Sequence, residues 1–174
     1  MDSMACVHFY KKKWANVEGV FISYGQKAAL REEEATTKIL SHLSIPFSII
    51  RVDGLSPLIS KTGFIQGRNI AFLILGLMHA QTKTGSIAIG IHSGSNYSDC
   101  SPDFVKLSQR VFDLYTDGKF TVGAPFINWT KADILQYCRM NKLPLELSYS
   151  CELGLEQPCG KCKSCEDRKT LNVS

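Results

Sequence analysis

Four of the seven cysteines lie close together near the C-terminus, at a spacing that suits a metal ion. They are Cys151, Cys159, Cys162 and Cys165, in a C-x7-C-x2-C-x2-C pattern. Four thiolates at such spacing make a closed tetrahedral site, which is structural rather than catalytic. We predict one Zn²⁺ per chain. An iron–sulfur cluster is the alternative, because three cysteines at x2 spacing can also hold one.

Other residues able to do chemistry lie after apolar strands or at the starts of helices, where ligands bind in parallel α/β sheets. Arg68 begins an apolar helix, where a guanidinium is either a partner for a carboxylate or phosphate, or a charged helix cap. Cys100, in a long polar loop, is interpreted as a nucleophile or as a buried thiol. Lys131 opens a later helix, where it either approaches phosphate or is solvated.

The elements that must position these residues alternate along the chain. Apolar periodicity predicts helices over about 3–14, 27–43, 68–80, 103–115 and 130–141, and short apolar runs predict strands over 19–24, 47–52, 86–91 and 120–127. This order predicts an α/β fold with a Rossmann-like, mostly parallel sheet and helices on both faces. We place residues 1–145 in this α/β domain and 146–174 in a zinc-binding C-terminal segment of the same domain.

Composition limits the classes of partner. The 174 residues carry 20 Lys and Arg against 16 Asp and Glu, so the net charge of +4 fits an anionic small molecule as well as nucleic acid. The basic residues form no stripe, and we expect no direct nucleic-acid partner. The longest apolar run, Ile70 to Met78, is too short to span a membrane, and no signal peptide is visible. One tight cysteine cluster in an odd count favours metal in a reducing cytoplasm over disulfides.

Motifs upstream of the cysteines, taken in order with them, resemble the 7-cyano-7-deazaguanine synthase (QueC) family of the PP-loop, or N-type ATP pyrophosphatase, superfamily. Ser23-Tyr24-Gly25-Gln26 resembles its D-Y-G-Q, and Gly67-Arg68-Asn69 its P-G-R-N. Tyr97-x-Asp99-Cys100-x-Pro102-x-Phe104 resembles its Y-x-D-C-x-P-x-F, and the tail from Ser150 to Arg168 resembles its C-terminus. The resemblance covers nearly the whole chain.

The resemblance implies a function and a set of site residues. It implies an adenine nucleotide alpha hydrolase-like fold and ATP-dependent conversion of 7-carboxy-7-deazaguanine and ammonia to 7-cyano-7-deazaguanine, with Mg²⁺ accompanying the ATP and the zinc structural. A homodimer is common in the family. It assigns ATP binding to Met1, Asp2, Ser3, Met4, Tyr24 and Gln26, substrate binding to Gly67, Arg68, Asn69, Tyr97, Asp99 and Cys100, and catalysis to Arg68, Asp99 and Lys131.

The sequence departs from the family's defining S-G-G-x-D-S motif. Only Met1-Asp2-Ser3 matches the last three positions, so the preceding strand and the two glycines are absent from this alignment. Glycine-rich turns present backbone N–H groups to phosphates. Asp2 and Ser3 are either the remaining part of such a phosphate loop, at the start of the helix, or simply residues that cap the helix. We expect an incomplete start or a degraded family member, with two open strand edges in the sheet.

Two further departures keep other functions open. His92-Ser-Gly-Ser-Asn96 replaces the family's N-A-x-D stretch, and Glu152 stands where tyrosine is usual, which would alter magnesium binding, base recognition or substrate stacking. One alternative is therefore a PP-loop relative acting on another carboxylate or base, such as a phage-encoded or defence-associated enzyme. The other is a non-catalytic zinc-binding module.

Overall fold

A computed structural model of the protein describes residues 1–14, 16–55, 65–94 and 97–173. The strands are β1 (Gly19–Ser23), β2 (Phe47–Arg51), β3 (Gly85–Ala88) and β4 (Phe120–Gly123). The helices are α1 (Asp2–Lys11), α2 (Ala29–His42), α3 (Arg68–His79), α4 (Pro102–Thr116), α5 (Lys131–Met140) and α6 (Lys163–Thr170), with 3-10 turns at Ser98–Cys100 and Leu145–Leu147. Most of the predicted loop 53–64, and Ser95 and Asn96, lie outside the described residues.

The strands pair in parallel, so the predicted α/β class is confirmed. β1 pairs with β2 from Gly19 opposite Phe47 to Ser23 opposite Arg51, and β3 pairs with β4 from Gly85 opposite Phe120. Within the described residues the strands form two separate two-stranded sheets instead of one sheet of four. In this part of the chain, β1 pairs only with β2, and β3 pairs only with β4.

Two apolar clusters hold these elements together. The first joins α1, α2 and α5 around Phe126, which is fully buried; its buried members are Met4, Ala5, Cys6, Ile39, Phe126, Ile134, Cys138 and Leu143. The second joins α3, α4 and β4 through Leu73, Phe112 and Phe120. The predicted strand over 120–127 ends early, at Gly123, because Pro125 has no N–H for a ladder and Phe126 turns into the first cluster.

Gly90 lets the start of α1 lie directly on the chain that leaves β3. A Cβ added at Gly90 would stand 2.9 Å from the backbone C and O of Asp2 and 3.0 Å from the Ser3 nitrogen. Since backbone atoms cannot rotate away as a side chain can, the close approach requires glycine. The contact fixes where the first turn of α1 sits relative to the carboxyl end of β3.

We predict that Gly90→Ala displaces this turn and lowers the free energy of unfolding by about 1–3 kcal/mol, the usual cost of overpacking. Urea denaturation measures the change. Gly85→Ala, at the other end of β3, is the control, because the atoms nearest to its Cβ would all be side-chain atoms, those of the Phe120 ring at 3.3 Å and the Thr82 hydroxyl oxygen at 3.7 Å. Equal losses in the two variants would contradict the special role of the Gly90 contact.

Two differences from the predicted elements concern the helices. Asp2 and Ser3 were interpreted as possible capping residues, but both lie inside α1, whose N-cap is Met1 with no side-chain capping bond. The C-terminal segment contains α6, which its charged, weakly apolar sequence did not predict. Across the described ranges, no helix is both long and apolar enough to cross a membrane.

Candidate active site and metal centre

The four cysteines of the tail converge as their spacing predicts. Their sulfur atoms, on Cys151, Cys159, Cys162 and Cys165, all lie within 4.8 Å of one another, and those of Cys159 and Cys165 are 3.9 Å apart. Sulfurs around a tetrahedral zinc with Zn–S bonds of about 2.3 Å stand about 3.8 Å apart. The donor set and its geometry therefore fit a metal ion held by four thiolates.

Backbone N–H groups support thiolates in this cluster. The Cys159 N–H donates to the Cys151 sulfur at 3.4 Å, and the Cys162 N–H donates to the Cys159 sulfur at 3.3 Å. Burial raises the pKa of Cys151, but hydrogen bonds from the N–H groups of Cys159 and Leu153 and from the side chains of Cys159 and Tyr149 outweigh it and bring that pKa down to about 6. Burial raises the pKa of Cys165 to about 12. Four adjacent thiols thus need a cation before all of them can ionise.

The C-terminal segment packs on the rest of the protein through specific contacts. Gly154, with φ +68°, lies so close to the backbone of Lys27 that a side chain there would collide with it. Glu152 accepts hydrogen bonds from the Ser164 N–H at 3.1 Å and from its hydroxyl at 2.8 Å, at the start of α6. Glu152 therefore holds the first turn of α6 and has a structural role in this chain.

The start of α1 meets the start of α5 and the C-terminal segment at a cavity of about 120 Å³. Its lining residues are Met1, Asp2, Lys131, Ser150, Ser164, Arg168, Leu171 and Val173. Three predicted site residues, Met1, Asp2 and Lys131, are thus brought together. The α1 N–H groups of residues 2–4 precede the first helical hydrogen bond, which Ala5 donates to Met1 at 3.0 Å. The Met4 side chain itself belongs to the core.

Lys131 is positioned by a helix cap and an ion pair. Thr130 caps α5 as predicted, in a capping box whose Thr130 N–H donates to the Asp133 carboxylate at 2.8 Å. The Lys131 ammonium then lies 2.8 Å from Asp167 of α6, which also contacts Lys163 at 3.1 Å. Burial opposes ionisation of Asp167, but the hydrogen bonds from both lysines leave its pKa below the usual value.

A second group of predicted residues gathers at the start of α3. Gly67 is the N-cap in the left-handed conformation, φ 77°, that glycine adopts readily. Asn69 is buried, and its amide donates to the Asp99 carbonyl at 3.3 Å and lies 3.9 Å from the Cys100 sulfur. The Nε of Arg68 is buried without a hydrogen-bond partner among the described residues. Its guanidinium lies 5.9 Å from the Phe72 ring centre.

The residues after β1 border this second group. Tyr24 is buried, and its ring lies 5.5 Å from that of Phe72. Gln26 is used within its own turn: its oxygen accepts from the Tyr24 N–H at 2.8 Å, and its amide donates to Glu32 at 2.9 Å. Tyr97 is 56% exposed. The ligand contacts predicted for Tyr24, Gln26 and Tyr97 therefore stay predictions.

Comparison with known proteins decides the family. The family model "Queuosine biosynthesis protein QueC" matches residues 1–62 and 57–171. The chain belongs to the QueC family. A 7-cyano-7-deazaguanine synthase of Prochlorococcus marinus subsp. pastoris is 28% identical to it over 98% of this chain and 88% of the relative. The enzyme of the same name from Prochlorococcus marinus strain MIT 9312 is 29% identical over the same shares.

In this QueC-family chain, the α1 cavity is surrounded partly by residues that the sequence motifs did not identify as ligands. Ser150 and Arg168 line it, although the sequence identified them only as parts of the tail motif. His92 also belongs here, because its Nε2 stands 4.0 Å from the Asp2 carboxylate. The signal available in the sequence was the adjacency of Ser150 to Cys151 and the one-turn spacing of Arg168 from Cys165.

Proposed function

We propose that this QueC-family chain performs the ATP-dependent conversion of 7-carboxy-7-deazaguanine and ammonia to 7-cyano-7-deazaguanine. The observation that carries the proposal is the family match over residues 1–62 and 57–171, in which relatives named 7-cyano-7-deazaguanine synthase align along 98% of the chain. Two places in the structure support the proposal. The cavity at α1 would take the phosphate chain of ATP, and Arg68 at the start of α3 would take the carboxylate of the substrate.

The chemistry overcomes a poor leaving group. A carboxylate oxygen attacks the α-phosphorus of ATP, releasing pyrophosphate and forming an acyl adenylate. Ammonia adds to the acyl carbon and expels AMP, which gives the amide and a proton. A second ATP adenylates the amide oxygen with loss of pyrophosphate, and elimination of AMP and a proton leaves the nitrile. The protein's part is to hold two anions close together and to offset their charge.

We assign the roles from position and charge. Asp2, Ser3 and Lys131 face the phosphates of ATP, with Mg²⁺ accompanying the nucleotide, and Arg68 binds the carboxylate of the substrate. Asn69 is a positioning residue for Asp99 and Cys100, since its amide contacts both. The four cysteines hold zinc, whose coordination they fill, so the metal is structural. Residues 146–174 form part of the same domain, through contacts such as Lys131 with Asp167.

The test is AMP release from ATP in the presence of ammonia and 7-carboxy-7-deazaguanine. We expect the wild-type chain to release AMP only with this acid, and Arg68→Ala to lower the rate by about 100-fold, as for loss of one preorganised charge-stabilising donor. Arg110→Ala, on the exposed surface of α4, is the matched control and keeps the wild-type rate.

Other outcomes separate the alternatives. AMP release with a different carboxylate but not with this acid would replace the proposal with a relative of altered specificity. A chain that binds zinc but neither binds nor cleaves ATP would favour the non-catalytic module. The cytoplasmic location and a homodimer remain predictions.

A further inference from the structure

The cavity at α1 is walled largely by the C-terminal segment. Ser150, Ser164, Arg168, Leu171 and Val173 supply this wall, and they face Met1, Asp2 and Lys131 across it. The wall is tied to the four-cysteine centre, because Ser150 directly precedes Cys151 and Arg168 follows Cys165 by one helical turn. Any ligand of the cavity therefore contacts residues whose positions depend on the metal centre.

Two buried polar atoms at this cavity lack hydrogen-bond partners among the described residues. They are the Oδ1 atom of Asp2 and the hydroxyl oxygen of Ser150. A buried polar atom without a partner costs about 1–3 kcal/mol, so native proteins rarely keep two at one place without a use. A hydroxyl can donate to an anionic oxygen, and a carboxylate oxygen can ligate a divalent cation that accompanies phosphates.

The charges around the cavity favour an anion. Two cations, Lys131 and Arg168, line the cavity with one carboxylate, that of Asp2. Lys131 is also paired with Asp167, which is not part of the lining. Arg168 is held in place by its own segment, since its Nη1 donates to the Ser148 carbonyl at 3.1 Å and to the Ser148 hydroxyl at 2.8 Å. Burial lowers the pKa of this guanidinium, which marks a partly desolvated cation. An anion in the cavity would offset that desolvation.

The geometry points to a pyrophosphate group bound in this cavity by Ser150 and Arg168, so that the metal centre governs its affinity. This inference rests on the proposed function, since a nucleotide would supply the pyrophosphate. The coupling to metal has a physical reason. α6 has 8 residues, and isolated helices shorter than about 12 residues are marginal in water. Without the metal, the cysteines no longer hold the first turn of α6 in place. Arg168, one turn further along the helix, then loses its fixed position.

Ser150→Ala is the sharpest test. Because the Ser150 hydroxyl has no hydrogen-bond partner in the described ranges of the chain, its removal leaves the free energy of unfolding unchanged or slightly raised. We expect inorganic pyrophosphate to bind the zinc-loaded chain with Mg²⁺ in isothermal titration calorimetry, and about tenfold more weakly to Ser150→Ala. Arg168→Lys keeps the charge but loses the planar fork, and we expect a similar weakening. Lys161→Ala removes an exposed cation of the same segment and serves as the control, with unchanged affinity.

Metal removal supplies the second arm. Chelation followed by gel filtration is expected to abolish pyrophosphate binding, and one equivalent of zinc to restore it. Wild-type affinity in both Ser150→Ala and Arg168→Lys, no binding to the wild type, or equal binding with and without metal would each overturn the inference. Its failure is separable from that of the proposed function. AMP release unaffected by Ser150→Ala rejects only the inference, whereas Ser150-dependent pyrophosphate binding without any reaction on the acid rejects only the function.

Discussion

Cys165→Ser is expected to abolish zinc binding at the four-cysteine centre and to unfold the C-terminal segment. The Cys165 side chain is 4% exposed and lies in the first turn of α6, so it joins the metal centre to the helix. Structural zinc contributes about 10–16 kcal/mol of apparent binding free energy in small zinc domains, and that energy is folding energy for the residues it holds. Serine offers a much poorer ligand than a thiolate. The loss of one ligand from a closed site therefore removes most of this contribution.

Elemental analysis and hydrogen exchange measure the result. The wild type should contain one zinc per chain and protected amides across α6, and Cys165→Ser should show neither. Cys100→Ser is the matched control, because Cys100 is half-buried and stands outside the four-cysteine cluster. Full zinc content in Cys165→Ser would contradict the assignment of this ligand. A brown protein containing iron and sulfide would replace zinc with an iron–sulfur cluster.

Phe126→Ala is expected to lower the free energy of unfolding by about 3–5 kcal/mol, the range for emptying an aromatic core site. Phe126 is fully buried, and its ring centre lies 4.9 Å from that of Trp129 and 5.8 Å from those of Phe9 and Tyr137. The cavity left behind would be bordered by α1 and α5, whose first turns carry Asp2 and Lys131. Domains of this kind are stable by about 5–15 kcal/mol, so the loss is a large share of the total.

Urea denaturation followed by tryptophan fluorescence reports this change, because Trp129 contacts the substituted ring. Tyr115→Ala is the control: it also removes an aromatic ring, but one that is 74% exposed on α4. Its expected effect lies within about 0.5 kcal/mol of zero. Similar denaturation midpoints for Phe126→Ala and the wild type would show that the first cluster is not the main core.

Local patterns in the sequence determined most of the elements. Helical apolar spacing predicted α2, α3, α4 and α5 to within a few residues, since each buries one face of a regular repeat. The parallel pairing followed from the alternation of strands and helices. The four-cysteine centre was also predictable, because a metal's ligand number and the short loops between ligands constrain the spacing itself.

The tertiary structure alone decided how distant segments meet. α6 was missed because its charged sequence has no apolar face. Its start is organised by contacts with residues earlier in the chain: Glu152 binds its first turn, and Cys151 lies beside Cys162 and Cys165 in the four-cysteine cluster. The division into two sheets depends on which strand edges find partners. The meeting of Asp2 with Ser150 and Arg168 depends on packing between opposite ends of the chain. Spacing in a sequence records local periodicity and close ligand sets, but contacts between such distant residues arise only when the packed elements close on one another.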